Sequence, residues 1–196
     1  NSAVAFQAEL TDTKVLSQLP AKVLSHFGAV TALVNNAAIF QRTPFEETTA
    51  QDWEAAFDAH ININLKAPYL LSRFFGEVFL QQKKGQIVNI ADIHARQPLK
   101  NYTPYCISKA GVVTLTQSLA KALAPHVRVN CIAPGTILRP SQTQGEADDE
   151  ATLRERVPLK RLGTPEEIAQ SVVFLLGGPE FITGHVLNVD GGESLR

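Results

Sequence analysis

The sequence predicts an α/β domain built on a parallel sheet with helices on both faces. Three observations carry that expectation. Short β-rich apolar runs alternate with amphipathic helical stretches along the chain, the pattern of successive βαβ units. The 196 residues are enough for one domain, spanning 1–196, with a real core. The polar residues that interrupt the apolar runs, namely Asn35, Asn36, Asp92 and the turn at Pro134 and Gly135, fall where those runs end. In parallel sheets that is where ligands sit.

The elements follow in order. AVAFQAEL (3–10) reads as a strand, and DTKVLSQLPAKVLSHFG (12–28) as a helix stopped by Gly28. ALVNNAA (32–38) reads as a buried strand running into a loop. Residues 50–82 carry one long amphipathic pattern, and Pro68 inside it predicts a kink because proline has no N–H to donate. Trp53 and Phe57 in this stretch have i, i+4 spacing and read as helix packing. GQIVNIAD (85–92) is the next strand, and TPYCISKAGVVTLTQSLAKALA (103–124) a helix with Pro104 near its first turn. VRVNCIAPG (127–135) is a strand ending in a turn, and RPSQTQGEADDEA (139–151) reads as a polar, acidic, mobile loop. TPEEIAQSVVFLLGG (164–178) is a helix with Thr164 as N-cap, Pro165 at its first position and glycines at its end. GHVLNVDGG (184–192) supplies a last strand.

Composition narrows the function classes. A net charge of −1 without basic clusters argues against a nucleic-acid partner. The longest apolar runs, such as VVFLL at 172–176, are too short to cross a bilayer, and no secretory-type leader is readable. With only Cys106 and Cys131 there is no disulfide framework, so a reduced, cytoplasmic setting is expected. The five histidines show no metal-ligand spacing, and no metal is expected.

Tyr105 and Lys109 lie one helical turn apart. A phenol titrates near about 10, and an adjacent ammonium favours its ionised form, so the pair makes a workable general acid. Asp92 precedes Tyr105 by 13 residues (105 − 92). An ionised carboxylate only accepts hydrogen bonds and would repel a developing oxyanion. Asp92 therefore argues against simple ketone reduction and fits a substrate that reacts at a ring nitrogen. It could orient Tyr105, accept from a substrate amine, or hold a proton in transit. Cys106 reads as inert packing, Cys131 as core, and His94 as a solvent-facing loop residue near the site.

LVNNAA, ININLKAPY, IVNIAD, YCISKAG, VRVNCIAPG and NVDGG, in this order and spacing, resemble the short-chain dehydrogenase/reductase family over nearly the whole chain. The resemblance implies a Rossmann-type doubly wound sheet, NADPH as cofactor and hydride transfer. It implies that Asn64 holds a relay water and that Lys109 bonds the nicotinamide ribose. It places Leu10, Asn36, Ala37, Ala38, Ile90, Tyr105, Pro134, Gly135, Thr136 and Ile137 along the cofactor. The family usually has serine where Asp92 stands. Aspartate there, with NNAAIF, ARQPLKNYTPYCISK and VDGGESLR, resembles the pteridine reductases, including dihydromonapterin reductases. That closer resemblance implies a pterin substrate bound by Phe40, Asp92 and Tyr105, with Phe40 stacked on the pterin. It also implies a homotetramer whose interfaces use helices 50–82 and 103–124, with Arg196 reaching a neighbouring subunit's site.

One part of the family pattern is missing. No Gly-rich phosphate loop opens the chain, and the first readable strand resembles the family's third. The expectation is a doubly wound sheet lacking its first βαβ segment in the chain shown, with roughly 50 residues preceding it. Two rival functions stay open: a generic carbonyl reductase, and a catalytically silent Rossmann-like binding protein.

Overall fold

Among the described residues four parallel strands form one sheet in chain order: β1 (Ala32–Asn35), β2 (Gly85–Ile90), β3 (Val127–Pro134) and β4 (Val186–Val189). The structure is a computed structural model that describes residues 3–46, 49–137 and 150–195. Parallel neighbours need crossovers, and helices supply them. They are α1 (Thr13–Phe27), leading into β1; α2 (Ala50–Ile61) and α3 (Ala67–Gln82), between β1 and β2; α4 (Thr103–Leu123); and α5 (Glu150–Arg156) with α6 (Pro165–Gly177), between β3 and β4.

Alternation along the strands divides the core. Ile87, Val127 and Val129 pack with Phe75 and Phe79 of α3 and Leu119 and Leu123 of α4, with Leu19 and Val23 of α1 behind them. On the opposite face Val88 and Ile132 pack against Leu175 of α6, flanked by Ile168 and Val172. The sheet thus carries helices on both faces, the Rossmann-like arrangement that the sequence predicts. No helix among the described residues is long and apolar enough to cross a membrane.

Most element bounds agree with expectation. Asp12 caps α1 by accepting from the Lys14 and Val15 amides, and Gly28 ends it at φ +76°. Thr164 and Glu167 close a capping box on α6.

Three expectations are corrected, and a fourth falls mostly outside the described residues. Residues 3–9 form no strand. A strand persists where a neighbour takes its N–H and C=O groups, and no described strand lies beside this segment. The stretch 50–82 is interrupted next to Pro68 rather than running as one α-helix. It widens just upstream into a π-helical turn (Asn62–Lys66), with the Ala67 N–H on the Asn62 carbonyl and Pro68 in the first turn of α3, where no N–H is needed. Trp53 and Phe57 do not pack inward: both are exposed, and Trp53 lies parallel to Phe45 with ring centroids 5.8 Å apart. Of the loop expected at 139–151, residues 139–149 lie outside the described residues, and Glu150 and Ala151 open α5.

Candidate active site

Asp92 ends the run of β2 in extended backbone and caps a 3-10 turn (Ile93–Ala95), its Oδ1 accepting from the His94 amide at 2.8 Å. That contact leaves Oδ2 facing α4. There the Tyr105 hydroxyl donates to Oδ2 at 2.5 Å. Lys109, one turn on, donates from Nζ to the Ile90 carbonyl at 2.9 Å, and the same Nζ lies 5.7 Å from the Tyr105 ring centroid. Tyr105 and Lys109 are both buried. The fold therefore brings Asp92, Tyr105, Lys109 and Ile90 together at the carboxyl end of β2.

The electrostatics differ from expectation in one respect. The phenol of Tyr105 is not drawn down by Lys109. Burial foremost, and then the Asp92 carboxylate, push it well above the ordinary tyrosine value. Lys109 is itself pulled down by burial, with Asp92 opposing. In this geometry Tyr105 keeps its proton and shares it with Asp92.

Asn64 sits in the π turn, buried, and its amide works on the loop after β1. Oδ1 accepts from the Ile39 N–H at 2.8 Å, and Nδ2 donates to the Ile39 carbonyl at 2.9 Å and to Ser108 Oγ at 3.1 Å. His60, fully buried, adds a contact on the other side of Phe40. Its Nε2 faces the Gln41 N–H at 3.3 Å and its Nδ1 faces the Ala56 carbonyl at 2.7 Å. The backbone N–H can only donate and the carbonyl only accept, so the imidazole is neutral with its proton on Nδ1. Burial lowers its pKa, in the same sense. Phe40 is thus held at both flanking residues. Its ring stacks on Tyr102 (4.4 Å, 8°) and meets Tyr105 edge-on (4.7 Å, 79°), and it is 39% exposed.

The expected cofactor edge lies along the carboxyl ends of β1 and β3. Asn36, Ala37 and Ala38 are exposed, and Pro134, Gly135, Thr136 and Ile137 are half-buried. Leu10 is half-buried in the turn before α1. The Lys109 ammonium has three donors, and the Ile90 carbonyl takes one, so this donor set fits a ribose diol. Arg196 lies outside the described residues.

His94 is half-buried rather than solvent-facing, with Nδ1 at 2.9 Å from the Gln97 carbonyl. Cys106 packs with Tyr102 and Tyr105, and Cys131 is core. Sequence reasoning missed His60 and Tyr102. The one available signal for His60 was its four-residue spacing from Asn64, which turns both side chains toward one loop.

A family model described as enoyl-(acyl carrier protein) reductase matches residues 1–194. A 3-oxoacyl-[acyl-carrier-protein] reductase, FabG, of Thermotoga maritima is 35% identical over 185 residues, 93% of this chain and 74% of the relative. A 3-oxoacyl-[acyl-carrier-protein] reductase of Synechocystis is 34% identical over 193 residues, 97% of this chain and 75% of the relative. Among solved structures, ElxO with NADP bound superposes at a TM-score of 0.87 and 29% identity, covering 97% of this chain and 78% of that one. A SCOR enzyme from Clostridium thermocellum superposes at 0.81 and 32% identity, covering 97% and 73%.

Proposed function

The chain belongs to the short-chain dehydrogenase/reductase family of oxidoreductases, and within it we propose that it reduces a dihydropterin to a tetrahydropterin with NADPH. The observation that carries this reading is the Tyr105 hydroxyl on Asp92 Oδ2 at 2.5 Å, beside the Phe40 ring. NADPH supplies the hydride; NADP in the structurally similar ElxO supports that choice.

The chain's own residues do the rest. Tyr105 gives its proton to the ring nitrogen next to the carbon that is reduced. Asp92 orients the hydroxyl, and its acceptor oxygens suit the amino and ring N–H groups of a pterin. Lys109 offers its remaining donors to the nicotinamide ribose and balances negative charge left on Tyr105. Phe40, held by Asn64 and His60, covers the flat ring. Pro68, four residues after Asn64, has no N–H for the Asn64 carbonyl, which supports a relay water at that oxygen. Asn36, Ala37, Ala38 and Pro134 to Ile137 line the nicotinamide half, and Arg196 of a neighbouring copy in a tetramer closes the pterin side.

A second reading, reduction of a 3-oxoacyl thioester, is favoured by what the curated relatives are. The physical argument against it is the carboxylate, which would face the oxyanion of a reduced ketone. The test is the intact protein with NADPH and, side by side, dihydrobiopterin, dihydromonapterin, dihydrofolate and a 3-oxoacyl thioester. Turnover of a dihydropterin, with the thioester at least about a hundredfold slower in kcat/KM, supports the proposal; the reverse order overturns it.

A further inference from the structure

The residues after β4 fold into a turn that touches both halves of the site. Gly191 and Gly192 take φ of +61° and +87°, which reverses the chain. Asp190 fixes the reversal, accepting from the Gly192 amide through Oδ1 and the Ser194 amide through Oδ2, each at 3.0 Å. A 3-10 turn (Glu193–Leu195) follows.

Two arms leave this turn. Glu193 receives both donors of Thr136: the backbone N–H on Oε2 at 2.9 Å and the hydroxyl on Oε1 at 3.1 Å. The loop lies so close that a Cβ on Gly135 would come within 2.7 Å of Asp190 Cβ and 2.8 Å of Glu193 Oε2. The second arm is the Ser194 carbonyl, which accepts from Gln97 Nε2 at 2.8 Å. Gln97 follows the 3-10 turn that Asp92 caps, and its N–H bonds the Ile93 carbonyl at 3.1 Å. Neighbouring residues of one turn therefore hold the loop after β3 and the loop that begins with Asp92.

We propose that Glu193 is a positioning residue for the cofactor: it sets the 134–137 loop in the conformation that receives the nicotinamide half of NADPH, while Ser194 independently sets the Asp92 loop. The inference rests on the proposed use of NADPH and on no particular substrate. Two hydrogen bonds from one residue to one carboxylate fix the peptide between Gly135 and Thr136, so the backbone leaves β3 in one direction. Without them the loop must be ordered at the moment of binding, and affinity falls by that ordering. Glutamine keeps both contacts, because its amide oxygen accepts the Thr136 N–H and its amide nitrogen donates to the Thr136 oxygen. Alanine keeps neither.

The experiment titrates NADPH into the intact protein by nicotinamide fluorescence, for the parent, Glu193→Ala, Glu193→Gln, Thr136→Val and Gln97→Leu. Glu193→Ala weakens NADPH binding about tenfold, Thr136→Val weakens it about threefold, and Glu193→Gln stays within about twofold of the parent. Gln97→Leu also stays within about twofold for NADPH, and a loss as large as that of Glu193→Ala would overturn the independence of the two arms. Parent-like affinity in Glu193→Ala overturns the inference, and so does Glu193→Gln as weak as Glu193→Ala. Should Glu193→Ala not fold, Thr136→Val against Glu193→Gln decides in the same way. NADPH affinity is read without substrate. A parent that binds NADPH but turns over no pterin refutes the pterin reading alone, whereas a parent without NADPH affinity overturns this inference with it.

Discussion

The hydroxyl of Tyr105 gives its hydrogen to Asp92 Oδ2 at 2.5 Å, and it does so from a buried position. Burial and the neighbouring carboxylate act in the same direction, both favouring the protonated phenol. Asp92→Asn removes the charge and keeps the shape. The phenol of Tyr105 should then titrate lower than in the parent, since the carboxylate's charge is gone while burial remains. Ultraviolet difference titration against a Tyr105→Phe control reads this directly. An unshifted titration would mean that Asp92 does not set the phenol.

Asp92→Ser restores the residue usual in the family and should lower kcat for a dihydropterin at least about tenfold, with NADPH affinity within about twofold. Serine is shorter and has one oxygen, so it cannot hold the His94 amide and the Tyr105 hydroxyl together as Asp92 does. Pterin turnover equal to the parent's contradicts the role given to the carboxylate.

Phe40→Ala should raise the KM for dihydropterin about tenfold and leave NADPH affinity nearly unchanged, because a flat ring loses both burial and stacking. Phe40→Tyr keeps the ring and should stay near the parent. Equal losses for pterin and NADPH would point instead to collapse of the loop that Asn64 and His60 hold.

What the sequence made legible was local. Thr164, Pro165 and Glu167 define the start of α6 by contacts within four residues, and the strands β2 and β3 are apolar runs that need only alternation to be seen. Helical spacing puts Tyr105 and Lys109 on one side, and the ordered motifs around them singled the pair out. What depended on distant partners was not readable. Residues 3–10 have strand-like composition, but a strand exists only beside another. The π turn could not be told from a Pro68 kink, since both answer the same missing N–H. Trp53 has the spacing of a packing residue, and only tertiary structure shows it turned outward against Phe45. The partnership of Glu193 with Thr136 joins residues 57 apart in sequence and leaves no periodic trace.

Both thiols should resist alkylation in the folded protein. Cys131 is fully buried in β3 and its pKa is pushed up to about 11, foremost by burial; Cys106 is also buried, and burial raises it. Thiolate is the reactive form, so iodoacetamide at pH 8 should label neither cysteine until denaturant is added. Rapid labelling of the native protein would show that α4 opens around Cys106.

His60 gives the pH prediction. It is neutral in the fold because its Nε2 must accept from Gln41 and because burial opposes its charge, so its folded pKa lies below the unfolded value. The unfolded chain takes up this proton near about pH 6.5, the folded chain only at lower pH. Between those two values the unfolded state holds more protons, and stability must fall as pH falls. The contribution is intact above the unfolded pKa and is lost on the way down to the folded one. A protonated ring would also turn a second N–H toward the Gln41 amide, releasing one side of the Phe40 loop. His60→Gln removes the titration while keeping an acceptor for Gln41. The drop in melting temperature from pH 7.5 to 5.0 should therefore be smaller in His60→Gln than in the parent, even if the variant is less stable at pH 7.5. The KM for dihydropterin should rise less steeply over the same range. Identical slopes in parent and variant would assign the acid sensitivity to other groups and remove His60 from control of the loop.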